Sequence, residues 1–429
     1  MTAVATAPAP STPAEPLKGS KHWGLTITLG VLAIISLLVF GLGTPSGEQT
    51  TFAVARASDF FRIPMFTLPS RATAVVLSIV ALLITAYAAY CVQTFRKFPW
   101  YGAVLYGVAV LGALLSWAGA GRDATNIQIT GLLTGAVVLS VPLVFGSLSG
   151  LVCERSGVIN IAIEGQLLAG AFTGAVIASA TGNAYAGLIA APIAGALVGA
   201  VLSLFAVKYW VNQIVVGVVL NVLVIGITNF LFGTLLRENP KLNQSMRLDT
   251  WSIPVLSKIP VVGPMLFNHT ILVYLMYITV ATLAIMLFRS RWGLRVRAVG
   301  EHPTAADTVG IKVNRTRVRN TILGGAIAGL GGAYFTVAAG LAFGKEMTSG
   351  AGFIALAAMI LGRWRPTGAL AAAVLFGFAN SLKDQLGIIG SDIPSEFLAM
   401  LPYLATILAV AGFVGHARPP AAEGIPYKK

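Results

Sequence analysis

The chain has 429 residues, of which 56% are hydrophobic and only 10% are charged. A soluble domain carries about 25% charged residues, so this composition excludes a water-soluble globular protein and predicts one that lies in lipid. The net charge of +14 does not indicate a nucleic-acid-binding protein, because the basic residues lie between apolar stretches and form no patch with interleaved aromatic residues.

The N-terminal sequence predicts a tail followed by a first membrane helix. Residues 1–20 are rich in Ala, Pro, Ser and Thr, which is typical of a disordered segment. The next apolar run, 24–42, is longer than the hydrophobic region of a signal peptide and lacks a convincing cleavage site. We therefore interpret that run as the first membrane-spanning helix.

Apolar runs of about 20 residues, the length that crosses a bilayer, recur along the whole chain. They predict an all-α polytopic membrane protein, a bundle of about 10–12 transmembrane helices. The runs lie at 24–42, 72–93, 101–120, 127–149, 163–180, 185–207, 211–235, 271–288, 320–343, 352–362, 367–385 and 397–415. The run 352–362 is short, and a re-entrant segment is the alternative there.

Basic residues set the predicted orientation, because the short cytoplasmic loops of membrane proteins are enriched in Lys and Arg. An N-terminus inside the cell places most Lys and Arg residues on the cytoplasmic side. The tails 1–20 and 417–429 are then both cytoplasmic. Two long loops, 43–71 and 236–270, lie outside.

The longest polar interval on the predicted cytoplasmic side is 289–320. Within it, Pro303 and Gly310 bracket a short segment. Proline fits the first turn of a helix, and glycine fits the position just past its end. The pattern predicts a short helix at 303–309, which would dock against a partner. An ordinary charged loop is the alternative.

A second polar stretch, 150–171, lies between two apolar runs. Asn160 is placed to cap the following helix, and Glu164 is placed near the positive end of that helix. Because a carboxylate within the membrane is costly, contact with a solute is the alternative role for Glu164. Candidate residues for a solute pathway are Asn160, Glu164, Gln166, Asn221 and Asn229, with the aromatic Trp117 or Phe353 able to stack on a planar solute.

Motifs for catalysis and for bound cofactors are missing from the sequence. A P-loop requires Gly-x-x-x-x-Gly-Lys-Ser/Thr, and its nearest approach, around 344–345, has Ala339 and Glu346 at the first and last of those positions. The two cysteines and four histidines have no metal-site spacing, so we expect no metal and no cofactor on this chain. An ion-coupled secondary transporter is a rival class, but we interpret its best candidates, Lys383 and Asp384, as a local pair.

Three stretches resemble permeases of ABC importers, in the branch for branched-chain amino acids, ribose and nucleosides. They are GLRVRAVGEHPTAADTVGI at 293–311, ERSGVINI with the following EG pair, and GAGFIALAAMILGRWRPTGAL at 350–370. The ERSGVINI form resembles the nucleoside-type subgroup. The resemblance implies a permease core at 126–416 and leaves the N-terminal helices, 21–125, outside it.

The resemblance also implies a mechanism and partners. In this family a short cytoplasmic coupling helix docks into a separate ATPase subunit, and His302 stands where an Asn is expected. The coupling positions carried over are Arg297, Ala298, Gly300, Glu301, Pro303, Ala305, Ala306 and Gly310. The implied protein is a permease subunit in a bacterial plasma membrane, not an enzyme, that moves nucleosides by alternating access. A simple-sugar permease is the alternative.

Implied partners are ABC ATPase subunits that use ATP, a second permease chain (identical or related), and an extracytoplasmic solute-binding protein.

Overall fold

The computed structural model describes part of the chain. The described residues are 23–54, 59–61, 63–122, 126–244, 246–390, 393–394, 396–398, 400 and 418–428. The predicted tail 1–20 and most of the predicted helix 397–415 lie outside them. The chain forms two compact units, the first from residues up to 50 together with 68–121, and the second from 51–67 together with 122 onward.

The first unit contains three helices. They are α1 (Gly24–Ile35), which continues as a π-helical stretch (Ser36–Leu42), α2 (Ser70–Gln93) and α3 (Trp100–Ala118). Hydrogen bonds link these helices: Ser36 Oγ lies 2.8 Å from Ser78 Oγ, and the Tyr106 hydroxyl donates to the Leu29 carbonyl at 2.6 Å. Bonds between helices satisfy polar groups that lipid cannot.

The second unit contains the remaining helices of the described residues. They are α4 (Ile129–Glu154), α5 (Ile163–Thr181), α6 (Ala184–Ser203), α7 (Gln213–Leu231), α8 (Val262–Leu266), α9 (Ile271–Arg289), α10 (Arg291–Glu301), α11 (Pro303–Thr308), α12 (Val313–Ala333), α13 (Ala351–Leu361) and α14 (Pro366–Ile389). Stretches of π-helix extend α6, α7 and α12 over Leu204–Lys208, Phe232–Leu236 and Tyr334–Ala338. Two 3₁₀ turns cover Pro240–Leu242 and Leu256–Lys258.

Short strands, which the sequence did not predict, lie in the connections between helices. They are β1 (Gln49–Ala53), β2 (Phe66–Pro69), β3 (Ile127–Gln128), β4 (Thr250–Ser252) and β5 (Asn268–Thr270). Phe52 of β1 pairs in parallel with Ile127 of β3. Strands β4 and β5 pair antiparallel, with Trp251 opposite His269. This second pair folds the predicted loop 236–270 back to the start of α9.

Nine helical stretches in the described part of the chain are long and apolar enough to cross a membrane. All nine coincide with predicted apolar runs, which confirms the all-α polytopic fold. The predicted short run at 352–362 is present as α13, whose 11 residues extend only about 16 Å. A crossing needs about 20 residues, so α13 reaches only part of the way through the bilayer.

Glycines determine how closely α6 and α12 pack. A Cβ on Gly195 of α6 would overlap the carbonyl oxygen of Gly325 in α12, and a Cβ on Gly329 would overlap the carbonyl of Ala191. A Cβ on Gly199 would also meet the α12 backbone. Residues without side chains permit this approach of two backbones. The glycine pairs at four-residue spacing therefore face one another as packing residues.

Candidate coupling surface and solute cavity

The predicted coupling segment folds as two consecutive helices. α10 begins after Ser290, whose Oγ accepts a hydrogen bond from the Gly293 N–H at 3.1 Å. Pro303 opens α11, and the chain leaves α11 through Gly310, whose φ of +85° favours glycine. The short helix predicted at 303–309 is therefore present. The sequence did not predict α10, which fills the first part of the same polar interval.

The carried-over coupling positions divide into an inner and an outer set. Ala306 is only 3% exposed and packs with Val299 and Val313 in a small apolar cluster. Gly300 is also buried, and a Cβ there would overlap the carbonyl oxygen of Arg155. These two residues therefore hold the segment against its own chain. Of the other positions, Glu301, Ala305 and Gly310 are exposed, whereas Arg297, Ala298 and Pro303 are partly buried.

A basic groove lies between α10, the turn that follows α11 and the first part of α12. Val309, just after α11, is 74% exposed, and Leu294 of α10 is exposed as well. The groove has a volume of ≈ 550 Å³, and none of the described residues that line it is a carboxylate. Its cations are Arg291, Arg295, Lys312, Arg315 and Arg319. Exposed apolar side chains and positive charge together suit a partner surface that carries carboxylates.

The C-terminal segment 418–428, here called the strap, packs against the coupling segment. The Ala422 N–H donates to the Gly300 carbonyl at 2.8 Å, and the Ala421 N–H donates to the Glu301 carboxylate at 3.2 Å. The predicted tail at 417–429 is therefore, in its described part, a packed structural element.

Arg317 of α12 anchors the strap. It is 1% exposed, and its guanidinium donates to the carbonyl oxygens of Ile425 at 2.7 Å and Ala422 at 3.4 Å. The Tyr427 side chain lies beside Asp307 of α11 and packs on the apolar cluster beneath that helix. A buried cation without partners is costly, so these carbonyl contacts fix the position of the strap.

The strap also reaches the C-terminal end of α4, where its Glu423 lies beside Glu154. Other bonds hold this end of α4 in place. The Trp364 indole donates to Glu154 Oε2 at 2.6 Å, and Arg155 donates to the Trp364 carbonyl from Nε at 3.1 Å and Nη2 at 2.8 Å. Burial raises the pKa of Glu423 of the strap, which interacts with Glu154. Burial lowers the pKa of Arg155, and the charge of Glu301 opposes that shift. Because the docked strap favours the protonated form of Glu423, docking becomes less favourable as the pH rises through the raised pKa of this carboxyl group.

Glu164, in the first turn of α5 as predicted, caps the start of α13. Its Oε1 accepts hydrogen bonds from Thr348 Oγ1 at 2.6 Å and from the Gly350 N–H at 2.9 Å. Its Oε2 accepts from the Gly352 N–H at 2.6 Å. A carboxylate at a helix N-terminus satisfies free N–H groups and complements the helix dipole. Glu164 therefore fixes the N-terminal end of α13.

Asn160 does not cap α5, contrary to the prediction. Ala162 occupies the capping position and provides no side-chain bond. The Asn160 amide instead donates to Ser149 Oγ and Gln166 Oε1, both at 3.0 Å, and Gln166 returns a bond to Asn160 Oδ1 at 3.2 Å. The chain before α5 is buried against α4, so this amide finds its partners there rather than at the helix end.

The two asparagines of α7 have different surroundings. Asn221 accepts from the Gly165 N–H and donates to the Ile161 carbonyl, both at 2.8 Å, which ties α7 to the start of α5. Asn229 is partly buried and donates to the Glu346 carboxylate at 3.2 Å. Asn221 is therefore engaged in packing, whereas Asn229 binds a loop.

A cavity of ≈ 310 Å³ lies where α4, α13, α14 and the π-helical turn after α12 meet, and we call this candidate site the solute cavity. The residues that give it its chemical character are the aromatic Tyr334 and Phe335 and the polar Thr348, Ser349, Asn380 and Lys383. Sequence reasoning missed this set, because its members come from separate elements. The available signal was the group of polar residues at 380–384, which interrupts the apolar run 367–385.

The residues proposed for base stacking and for ion coupling lie elsewhere or are paired. Trp117 belongs to α3 of the first unit, and Phe353 is 52% exposed and does not line the solute cavity. Lys383 lies 3.5 Å from the Asp384 carboxylate, the local pair that was predicted. In the part of the chain that the structure describes, no group of three His, Cys, Asp or Glu residues could hold a metal.

Comparison with known proteins identifies the family. The family described as "Branched-chain amino acid transport system / permease component" matches residues 132–411. The guanosine ABC transporter permease protein NupQ of Bacillus subtilis is 38% identical over 317 residues, which cover 71% of this chain and 98% of that protein. The nucleoside ABC transporter permease protein NupC of Lactococcus lactis is 38% identical over 307 residues, covering 70% and 96%.

A third relative, the guanosine ABC transporter permease protein NupP of Bacillus subtilis, is 27% identical over 290 residues, covering 63% of this chain and 79% of that protein. No solved structure matches the chain. The family match covers well over half of the chain, and the apolar helices cross a membrane several times. This multi-pass membrane protein therefore belongs to the family of branched-chain amino acid transport system permease components.

Proposed function

We propose that this chain is the transmembrane permease subunit of an ATP-driven importer for nucleosides. Its family is one of transport permeases, and two relatives at 38% identity are named as guanosine and nucleoside permeases. The structural observation that carries the proposal is α11, a short helix with a packed inner face and an open outer face. Such a helix suits docking of a separate subunit that supplies energy.

In this proposal ATP is hydrolysed by a partner, because the chain has no P-loop. The ATPase subunit would contact exposed Ala305 and Val309 of the α11 region, and the basic groove would face carboxylates of the partner. Closure of the ATPase subunits on ATP would then move α10 and α11 together. The strap and the apolar cluster around Ala306 support this joint movement, since both connect α10 to α11.

The proposed movement has a physical route towards the solute cavity. Gly300 touches the backbone of Arg155, and the buried chain after Arg155 leads into α5. Glu164 of α5 holds the start of α13, and Thr348 and Ser349 beside it line the cavity. A shift of the coupling segment would thus displace one cavity wall, as alternating access requires.

The proposed assembly contains a second, related permease chain. Each of two relative systems has two named permeases, and this chain resembles them unequally: 38% for NupQ against 27% for NupP, and 38% for NupC against 24% for NupB. An extracytoplasmic solute-binding protein would deliver the solute. In this arrangement the chain lies in a bacterial plasma membrane with both termini cytoplasmic, and the permease core covers 126–416 with 21–125 outside it.

A simple-sugar permease is the second candidate function. The putative glucose ABC transporter permease protein TsgC13 of Haloferax volcanii is 34% identical over 257 residues, and this similarity supports a sugar as the solute. An ion-coupled carrier has less support, because Lys383 is paired with Asp384 and both are partly exposed.

Uptake of labelled uridine, adenosine and guanosine in cells with and without the gene tests the proposed function. We expect gene-dependent uptake that survives both excess ribose and a protonophore, because ATP drives an importer of this class directly. Competition by ribose would assign the solute to the sugars. Collapse of uptake with the protonophore would contradict ATP-driven transport and identify an ion-coupled carrier.

A further inference from the structure

We infer that the solute cavity holds the nucleoside during transport, with one polar wall for the sugar and one aromatic wall for the base. This inference rests on the proposed function and names the residues that would recognise the solute. The volume of ≈ 310 Å³ lies at the lower end of the ~300–1,000 Å³ that is common for small-molecule sites. A cavity of this size suits one small solute.

The polar wall includes Asn380 of α14, which lines the cavity together with Lys383 of the same helix. The Asn380 side chain is partly buried. Among the described residues, no group hydrogen-bonds the Asn380 amide, so its donors and its acceptor are available to a ligand.

The backbone before α13 holds the rest of the polar wall in place. Ser349 has a φ of +46°, a left-handed conformation that is uncommon for residues other than glycine. The neighbouring Thr348 and Gly350 are bound by Glu164, which stabilises this conformation. Strained backbone that is fixed by surrounding contacts is common at ligand sites. Thr348 donates its hydroxyl to Glu164, and Ser349 donates its hydroxyl to the Glu346 carbonyl at 3.3 Å, so both side chains are held in place beside the cavity.

The aromatic wall distinguishes a nucleoside from a simple sugar. Tyr334 and Phe335 form an edge-on pair, with ring centroids 5.5 Å apart and planes at 78°. A planar base stacks on aromatic rings, whereas sugar hydroxyls need hydrogen-bonding groups. Both kinds of group line this one cavity, which suits a solute that carries both a planar base and a sugar.

Two substitutions in the complete transporter test the site. We expect Phe335→Ala and Asn380→Ala to lower nucleoside transport per ATP hydrolysed at least tenfold at saturating solute, because each variant loses a contact to the solute in the cavity. The ATPase and the solute-binding protein remain intact, so ATP hydrolysis should continue. Matched controls are Phe230→Ala, an exposed aromatic of α7, and Asn239→Ala, an exposed asparagine in a loop. They should stay within twofold of the original protein. Cavity variants that transport like the controls would overturn the inference.

A labelling experiment covers the case in which a cavity variant folds poorly. In a Leu139→Cys variant, whose position on α4 lines the cavity but belongs to neither wall, a small methanethiosulfonate reagent should modify the new thiol. The two native cysteines are buried and should stay unmodified. Excess uridine should slow this reaction at least fivefold, and ribose should not. An unchanged rate with uridine would overturn the site while leaving the proposed function intact. Failure of the unmodified transporter to move any nucleoside would instead overturn both proposals.

Discussion

Replacing Ala305 by arginine is expected to abolish nucleoside transport while the permease remains folded in the membrane. Ala305 lies on the exposed side of α11, near the exposed Val309, so a larger side chain there fits without disturbing its own chain. A long charged side chain in a docking surface would hold the two proteins apart. Central interface residues commonly change binding by about 2 kcal/mol or more, roughly 30-fold. Co-purification of ATPase subunits and solute-stimulated ATP hydrolysis measure the effect.

The neighbouring residue provides a contrasting control. Ala306 is buried in the apolar cluster with Val299 and Val313, so Ala306→Arg would place a charge there and should reduce the yield of folded permease. Ala305→Ser keeps the exposed position small and should retain transport. Normal ATPase binding and normal transport by Ala305→Arg would show that α11 is not the docking element.

Replacing Arg317 by alanine is expected to release the strap and to uncouple ATP hydrolysis from transport. The change removes the hydrogen bonds to Ile425 and Ala422, and bonds from a charged donor each contribute about 1.5–3 kcal/mol. A released strap would also uncover the cluster beneath α11 and withdraw Tyr427 from Asp307. Limited proteolysis at the C-terminus should become at least tenfold faster, and transport per ATP should fall.

Two further variants separate anchoring from a general loss of stability. Arg317→Lys keeps the charge and can reach one carbonyl, so it should restore part of the protection and part of the coupling. Arg237→Ala removes an exposed arginine far from the strap in sequence and should behave like the original protein. If Arg317→Ala leaves both proteolysis and coupling unchanged, the strap does not position the coupling segment.

The fold was largely predictable, because membrane helices depend on local composition. A span of apolar residues must be helical in lipid, where every backbone group needs a partner within the chain. The run 352–362 was predicted as a short helix, with a re-entrant segment as the alternative, and it is present as α13. α10 was missed because its basic and apolar residues form an amphipathic surface helix rather than a continuous apolar run.

The candidate site was less predictable, because its contacts join residues far apart in sequence. Pro303 and Gly310 predicted α11 from local rules, but nothing local shows that Ala306 faces inward. Asn160 looks like a helix cap in sequence, and only the buried approach of α4 gives it other partners. Arg317 bonds to carbonyls more than one hundred residues away, a pairing without any local pattern.

Transport by purified complexes in proteoliposomes tests the central claim most directly. The permease, its related second chain, the ATPase subunits and the solute-binding protein are reconstituted, and labelled uridine is supplied on the side of the solute-binding protein. We expect uridine to accumulate with ATP on the other side, and not with a non-hydrolysable ATP analogue. Accumulation without ATP, driven by an ion gradient, or ATP-driven accumulation of ribose but not of uridine would contradict the account.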